Sequence, residues 1–207
     1  MLTKLLIVLL LIPTWVFADD FVAGTDYEQI QGSAASHHPA SVTEFFSYGC
    51  PWCKKLEPSV AAWRKQHADV HFMRIPVVFN KDWVAYAKAY YVAELLKKEN
   101  TLTPALFTAI QTEHTPLNTS ELMINFFIKQ GVDKDIAESS FLHSTLIDIQ
   151  MNEGNALMGQ FHVNAVPAFI VNKKYKTDLQ MAKDESRLFK ILDYLLAKDK
   201  ESRQNQA

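Results

Sequence analysis

The chain has 207 residues, of which 48% are hydrophobic, 12% aromatic and 21% charged. This length and composition suit one folded domain, or one domain that carries an insertion, and they exclude collagen-like and generally disordered chains. Lys and Arg number 21 against 23 Asp and Glu, which gives a net charge of −2 without a long basic run. We therefore expect no nucleic-acid partner.

The first 18 residues differ in pattern from the rest of the chain. Lys4 precedes an apolar run from Leu5 to Ile12, Pro13 interrupts that run, and Ala18 ends the segment with a small side chain. A membrane anchor is the alternative, but the run is much shorter than the roughly 20 apolar residues that span a bilayer. The pattern predicts that residues 1–18 are a cleaved signal peptide and that the protein is exported to a compartment where disulfides persist.

Both cysteines lie in one tetrapeptide, Cys50-Pro51-Trp52-Cys53. A structural disulfide stabilises a fold more when it closes a longer loop, so this spacing favours redox chemistry. Residues 42–48 have the composition of a buried strand, and the apolar spacing within residues 54–67 predicts a helix. Pro51 suits the first helical turn. Cys50 would then begin a helix whose free N–H groups and dipole lower its pKa, and Cys53 would be the more buried, resolving thiol.

A zinc site is the competing interpretation of the same cysteines. Together with His67 and His71 they fit the spacing of a Cys2His2 site. Residues 70–75 have a strand pattern, however, so the two histidines would not share one helix face. We favour redox chemistry and expect neither a metal nor a cofactor.

The middle of the chain has a helical pattern throughout. Between Phe79 and Pro167 the sequence contains no convincing strand, and it predicts five helices: 83–98, one starting at Thr103-Pro104, one from Ser120 to Gly131, 133–143 and 144–160. A strand over 166–171, a short strand at 175–177, a helix over 184–198 and a frayed tail at 199–207 follow. This order predicts an α/β domain formed by residues 19–81 and 159–207, with a helical insertion at 82–158.

Two segments, from Glu44 to Cys53 and from Gln160 to Tyr175, resemble the DsbA family of thioredoxin-fold thiol:disulfide oxidoreductases. The resemblance implies a thioredoxin fold with an inserted all-helical domain. It also implies a cis Val166-Pro167 bond facing the cysteines, with the backbone of Val166 free to pair with an extended substrate. Glu44 matches the family's acid beneath the active site, a proton acceptor for Cys53, and Arg74 matches a basic residue on the neighbouring strand; a structural ion pair is the alternative reading.

The resemblance further implies a periplasmic enzyme that donates its Cys50-Cys53 disulfide to reduced, unfolded proteins through a mixed disulfide. A DsbB-like membrane protein would reoxidise it. Val166, where the family's dimeric isomerases usually have threonine, and the short segment from Asp19 to Ala40 favour a monomeric oxidase. Trp52 replaces the family's histidine and predicts a weaker thiolate. The alternatives are a reductase or isomerase and, as a different class, a non-enzymatic peptide-binding holdase or zinc-binding module.

Overall fold

A computed structural model describes residues 21–30 and 39–205. The predicted signal segment, residues 1–18, lies outside the described residues. Within them the elements in chain order are β1 (Glu28–Gln29), β2 (Ser41–Phe46), α1 (Pro51–Gln66), β3 (His71–Pro76), α2 (Asp82–Leu95), α3 (Glu99–Gln111), α4 (Ser120–Lys129), α5 (Lys134–His143), α6 (Thr145–Gln160), β4 (Ala168–Val171), β5 (Tyr175–Asp178), α7 (Leu179–Ala182) and α8 (Glu185–Gln204).

The five strands form one mixed sheet in the order β1-β5-β4-β2-β3. Strands β2 and β3 are parallel, with Glu44 opposite Arg74, whereas β4 runs antiparallel to both β2 and β5. The parallel pair needs a crossover, and α1 supplies it. Strand β2 lies inside the sheet, between β4 and β3. The turn that follows it therefore places the cysteines at the carboxyl end of an interior strand.

Both faces of the sheet are covered by apolar side chains. Helices α1 and α8 pack on one face, where Leu56 and Trp63 meet Leu188 and Ile191 in one cluster. A second cluster on the sheet includes Phe45 and the residues that follow α6. The third and largest cluster joins the helices α2 to α6 to the end of β2 and to both cysteines. The active-site segment is therefore packed against the helical region as well as against its own sheet.

The predicted starts at residues 133, 144 and 184 agree with the structure, where a capping side chain stands at each of them. Asp133, Ser144 and Asp184 each accept a hydrogen bond from a backbone N–H in the first turn of the helix that follows. Gly131 follows α4 with φ of 81°, a left-handed conformation that glycine adopts without strain. The fold class predicted from the sequence, a thioredoxin fold with a helical region, is confirmed.

Three helix boundary predictions were wrong. Helix α2 ends at Leu95, whereas the sequence pattern continued it to residue 98. Helix α3 begins at Glu99 and includes Pro104, whereas the sequence pattern placed its start at Thr103-Pro104. Pro104 is the sixth residue of α3, where its missing N–H removes one backbone bond, the one to the Asn100 carbonyl. The helix accommodates this loss, so the proline does not mark its first residue. Helix α8 continues to Gln204, so residues 199–204 are not a frayed tail.

A buried carboxylate explains the longer closing helix. Asp199 is 2% exposed and accepts hydrogen bonds from Asn172 at 2.8 Å and from Lys174 at 2.5 Å. Asn172 and Lys174 belong to the turn between β4 and β5. These bonds hold the last part of α8 against the sheet, although the local sequence there is polar throughout.

Candidate active site

The two cysteines lie at the junction of β2 and α1. Cys50 is the N-cap of α1, and Pro51 follows at the start of the helix. The Cys50 Sγ accepts a hydrogen bond from the backbone N–H of Cys53 at 3.1 Å. The side chain of a capping residue normally satisfies one of the free N–H groups of the first turn, and here a sulfur does so. The sequence pattern thus builds a thiol-capped helix.

The two thiols differ in environment and in pKa. Both are free thiols, with Cys50 4% exposed and Cys53 fully buried. The pKa of Cys50 is lowered, first by the hydrogen bond from the Cys53 thiol and then by backbone N–H groups of the helix start, although burial opposes them. The pKa of Cys53 is raised, chiefly by burial and by its bond to Cys50. One sulfur is therefore suited to be an anion and the other to be a neutral thiol.

The loop before β4 faces Cys50. The Val166-Pro167 peptide bond is cis, and the carbonyl oxygen of Val166 lies 3.4 Å from the Cys50 sulfur, which donates to it. The N–H of Val166 makes no hydrogen bond within the described part of the chain. Cys50 and Val166 are 116 residues apart in the chain. Only the family resemblance indicated that they would be neighbours.

A groove runs along the site from Trp52 past Val166 and Pro167. Its volume is about 670 Å³, and Leu56 and Leu179 contribute to its walls. Trp52 is 58% exposed at the groove, and the Lys55 ammonium lies 4.8 Å from the centroid of its ring. A cation is thus present one turn away from the position where the family has histidine, but it contacts the ring of Trp52.

Beneath the cysteines lies a three-residue charge network. Arg74 donates from Nε to Glu44 at 2.7 Å, and its two terminal nitrogens donate to Glu57 at 3.0 and 2.6 Å. Glu44 is fully buried, and its second oxygen, Oε1, has no hydrogen-bond partner within the described residues. Burial raises the pKa of Glu44 even though Arg74 opposes the shift. Burial thus favours the protonated, neutral form of Glu44 over the carboxylate.

Sequence reasoning placed Glu44 and Arg74 together but missed Glu57. Glu57 lies four residues after Cys53, so the i,i+4 relation on one helix face was available as a signal. Sequence reasoning also missed two contacts of the active-site turn. Trp83 packs its indole ring against Gly49, and Gln111 donates to the carbonyl groups of Tyr48 and Cys50. No local pattern indicates either contact, because both join residues distant in sequence.

The four residues of the alternative zinc site do not meet. Cys53 and His67 are separated by most of α1, which at a rise of ~1.5 Å per residue puts them about 20 Å apart. His67 instead bonds to the carbonyl of Trp63 and lies 3.1 Å from Asp193. Within residues 21–30 and 39–205, no group of three or more His, Cys, Asp or Glu side chains could hold a metal ion.

A thioredoxin-like sheet, a CxxC pair at a helix start and a cis-proline loop beside the first sulfur define the class of thiol:disulfide oxidoreductases. A family model described as Thioredoxin matches residues 25–194. The DsbA thiol:disulfide interchange protein of Pseudomonas aeruginosa is 35% identical over 186 residues, 88% of each chain. That of Burkholderia cepacia is 32% identical over 178 residues, 84% of each chain.

Solved structures agree with these relatives. The crystal structure of Pseudomonas aeruginosa DsbA has a TM-score of 0.84 at 34% identity and covers 90% of this chain and 98% of its own. That of Xylella fastidiosa DsbA has a TM-score of 0.76 at 26% identity, with the same coverage. The chain belongs to the DsbA family of thiol:disulfide oxidoreductases. Among the residues that the structure describes, no helix is long and apolar enough to cross a lipid bilayer.

Proposed function

We propose that this enzyme is a disulfide oxidase that donates the Cys50-Cys53 disulfide to reduced, unfolded substrate proteins. The observation that carries the proposal is the position of the Cys50 sulfur. It accepts from the Cys53 N–H at 3.1 Å and lies 3.4 Å from the Val166 carbonyl, beside an open groove. Stabilisation of the thiolate favours the reduced form of the pair, which makes the disulfide a stronger oxidant.

The proposed reaction proceeds in two exchanges. A substrate thiolate attacks the Cys50 sulfur, the Cys50–Cys53 bond breaks, and Cys53 leaves as a thiolate that takes up a proton. A second substrate thiolate then attacks the substrate sulfur of the mixed disulfide and releases Cys50 as a thiolate. Two electrons pass from the substrate thiols to the protein. The substrate gains a disulfide, and the protein leaves reduced, with Cys50 as a thiolate and Cys53 as a thiol.

Each residue near the sulfurs has a proposed part in this reaction. Glu44 exchanges the proton of Cys53, since it is buried, has an unpartnered oxygen and has a raised pKa. The free N–H of Val166 pairs with an extended substrate strand, with Pro167 fixing the loop. Trp52 forms one wall of the groove. Pro51 starts the helix without an N–H to satisfy.

The wider biology follows as part of the same proposal. Residues 1–18 would direct export to the periplasm, and a DsbB-like membrane protein would restore the disulfide of a monomeric enzyme. Residues 19–81 and 159–207 would form the thioredoxin-like domain around a helical insertion at 82–158. Helix α6 supports a boundary near that point, since it ends at Gln160.

Oxidative refolding of a reduced substrate tests the proposal. The oxidised enzyme should form one substrate disulfide for each disulfide it loses, and Cys50→Ser should abolish this transfer while remaining folded. Retained transfer by Cys50→Ser contradicts the mechanism. If neither protein transfers disulfides but both prevent aggregation of the unfolded substrate, the holdase alternative is correct.

The direction of electron flow needs a second measurement. The equilibrium of the Cys50-Cys53 pair against a glutathione buffer should be strongly oxidising. A value close to that of thioredoxin would support the reductase alternative instead.

A further inference from the structure

Gln111, the last residue of α3, reaches the active-site turn from the helical region. Its side-chain nitrogen donates to the carbonyl oxygen of Tyr48 at 2.6 Å and to that of Cys50 at 2.9 Å. These two carbonyl groups stand on either side of Gly49. A single carboxamide, with its two N–H donors, therefore holds both ends of the turn that presents Cys50.

The hydrogen bond from Gln111 to the Cys50 carbonyl restrains the backbone of Cys50, and the conformation of that backbone positions the reacting sulfur. Cys50 has φ of −92° and ψ of 115°, the extended conformation of an N-cap, and its carbonyl also accepts from the Lys54 N–H at 3.2 Å. The same backbone conformation directs Sγ to the Cys53 N–H at 3.1 Å. Fixing the carbonyl therefore fixes the geometry of the N–H···S bond.

Neighbouring contacts also join the active-site turn and the start of α1 to α3. The Lys54 ammonium donates to the hydroxyl of Thr112, the residue after Gln111. Tyr48 is fully buried, and its hydroxyl bonds to Thr103 of α3 at 2.9 Å. Tyr48 and Lys54 keep their own bonds to Thr103 and Thr112 when Gln111 is replaced. Loss of the Gln111 bonds would therefore loosen the turn locally, while α3 stays packed against the active-site segment.

We propose that Gln111 is a positioning residue that holds Cys50 in the conformation that stabilises its thiolate. It acts through the backbone, by fixing the N-cap geometry, and through its amide dipole, whose positive end points at the Cys50 peptide. This inference rests on the proposed role of Cys50 as the reacting sulfur. It assigns to the helical region a direct effect on the reactivity of the disulfide.

Two substitutions separate the hydrogen bonds from the packing. Gln111→Met keeps a side chain of similar volume and removes both donors. Gln111→Glu keeps the shape, removes the amide donors and adds a negative charge beside two carbonyl oxygens. Thr108→Ala, an exposed residue of the same helix, is the matched control.

The first measurement is the pKa of Cys50, from the pH dependence of thiolate absorbance in the full-length reduced protein. The second is the equilibrium in which oxidised protein and two molecules of reduced glutathione give the dithiol and oxidised glutathione. We expect the Cys50 pKa to rise and this equilibrium to shift about threefold to tenfold towards the oxidised protein for Gln111→Met, the effect of one or two hydrogen bonds. Gln111→Glu should shift further in the same direction, and Thr108→Ala should not shift.

The order wild type, Gln111→Met, Gln111→Glu distinguishes positioning from a purely structural role, which would lower the melting temperature without this ordered change. An unchanged Cys50 pKa in both folded Gln111 variants overturns the inference and leaves the proposed function intact. An ordinary Cys50 pKa in the wild type overturns both. If one variant fails to fold, the other decides the outcome alone.

Discussion

The guanidinium Nε of Arg74 lies 2.7 Å from the carboxylate of Glu44, and both side chains are withdrawn from solvent, with exposures of 7% and 0%. They lie opposite each other on the parallel strands β3 and β2, below the cysteines. A buried ion pair is costly to desolvate, and removal of one partner leaves an uncompensated charge. We therefore expect the pair to affect both the stability of the protein and the protonation of Glu44.

Arg74→Met should destabilise the protein at neutral pH by about 3–5 kcal/mol, because Glu44 then remains buried and charged without its partner. Met keeps an unbranched side chain at this position but loses the cation–π contact of the guanidinium, which lies 4.3 Å from the centroid of the Phe46 ring. The loss should shrink as pH falls through the folded-state pKa of Glu44, which burial raises above 4.5, because the protonated acid leaves no uncompensated charge. Urea denaturation across this pH range measures it, and the double variant Glu44→Gln/Arg74→Met should recover part of the loss. A loss that does not vary with pH contradicts this account.

Glu44→Gln should become more stable relative to wild type as pH rises from acid to neutral. Burial raises the folded-state pKa of Glu44 above 4.5, so the folded protein holds a proton that the unfolded chain releases. The free energy of unfolding of the wild type therefore falls as pH rises from 4.5 through the folded-state pKa, and the variant lacks this fall.

Chemical denaturation of the oxidised forms tests the Glu44 prediction without titration of the cysteines. Glu57→Gln is the matched control, since it removes a carboxylate from the same guanidinium at a partly exposed position. A constant stability difference between Glu44→Gln and wild type from acid to neutral pH would show that Glu44 is an ordinary structural partner.

Trp52→His should lower the pKa of Cys50 and make the disulfide more oxidising. Histidine adds a cation near the thiolate when it is protonated, which tryptophan cannot do, and each unit of pKa corresponds to about 1.4 kcal/mol of thiolate stabilisation. Thiolate titration and the glutathione equilibrium measure the two effects. Trp52→Phe, which changes the ring without adding charge, should not lower the pKa. No change, or a rise, in the histidine variant would defeat the prediction.

Gly49→Ala should destabilise the protein by about 1–3 kcal/mol through overpacking. A Cβ at this position would lie 2.4 Å from Nε1 and 2.8 Å from Cε2 of the Trp83 indole, a rigid ring that must shift to admit it. Gly159→Ala in α6 is the control. A Cβ there meets nothing within 4 Å, and alanine should stabilise that helix by about 0.5–1 kcal/mol. Equal stability of Gly49→Ala and wild type would show that Trp83 moves freely.

Local sequence determined much of this protein, because hydrogen bonding within a turn or helix depends on near neighbours. The strand before Cys50, the proline after it and the helix that follows are encoded in one short segment, as are the caps Asp133, Ser144 and Asp184. The lowered pKa of Cys50 follows from the same segment, since the hydrogen-bond donors that lower it belong to Trp52 and Cys53.

Tertiary structure alone decided what surrounds that sulfur. Val166 at 3.4 Å, Gln111 behind the turn and Trp83 over Gly49 come from distant parts of the chain. Burial of Asp199 likewise extends α8 through a segment that looks too polar to be ordered. Such contacts form only when helices and strands pack, because long-range hydrogen bonds and the burial of a single polar side chain have no periodic signature in sequence.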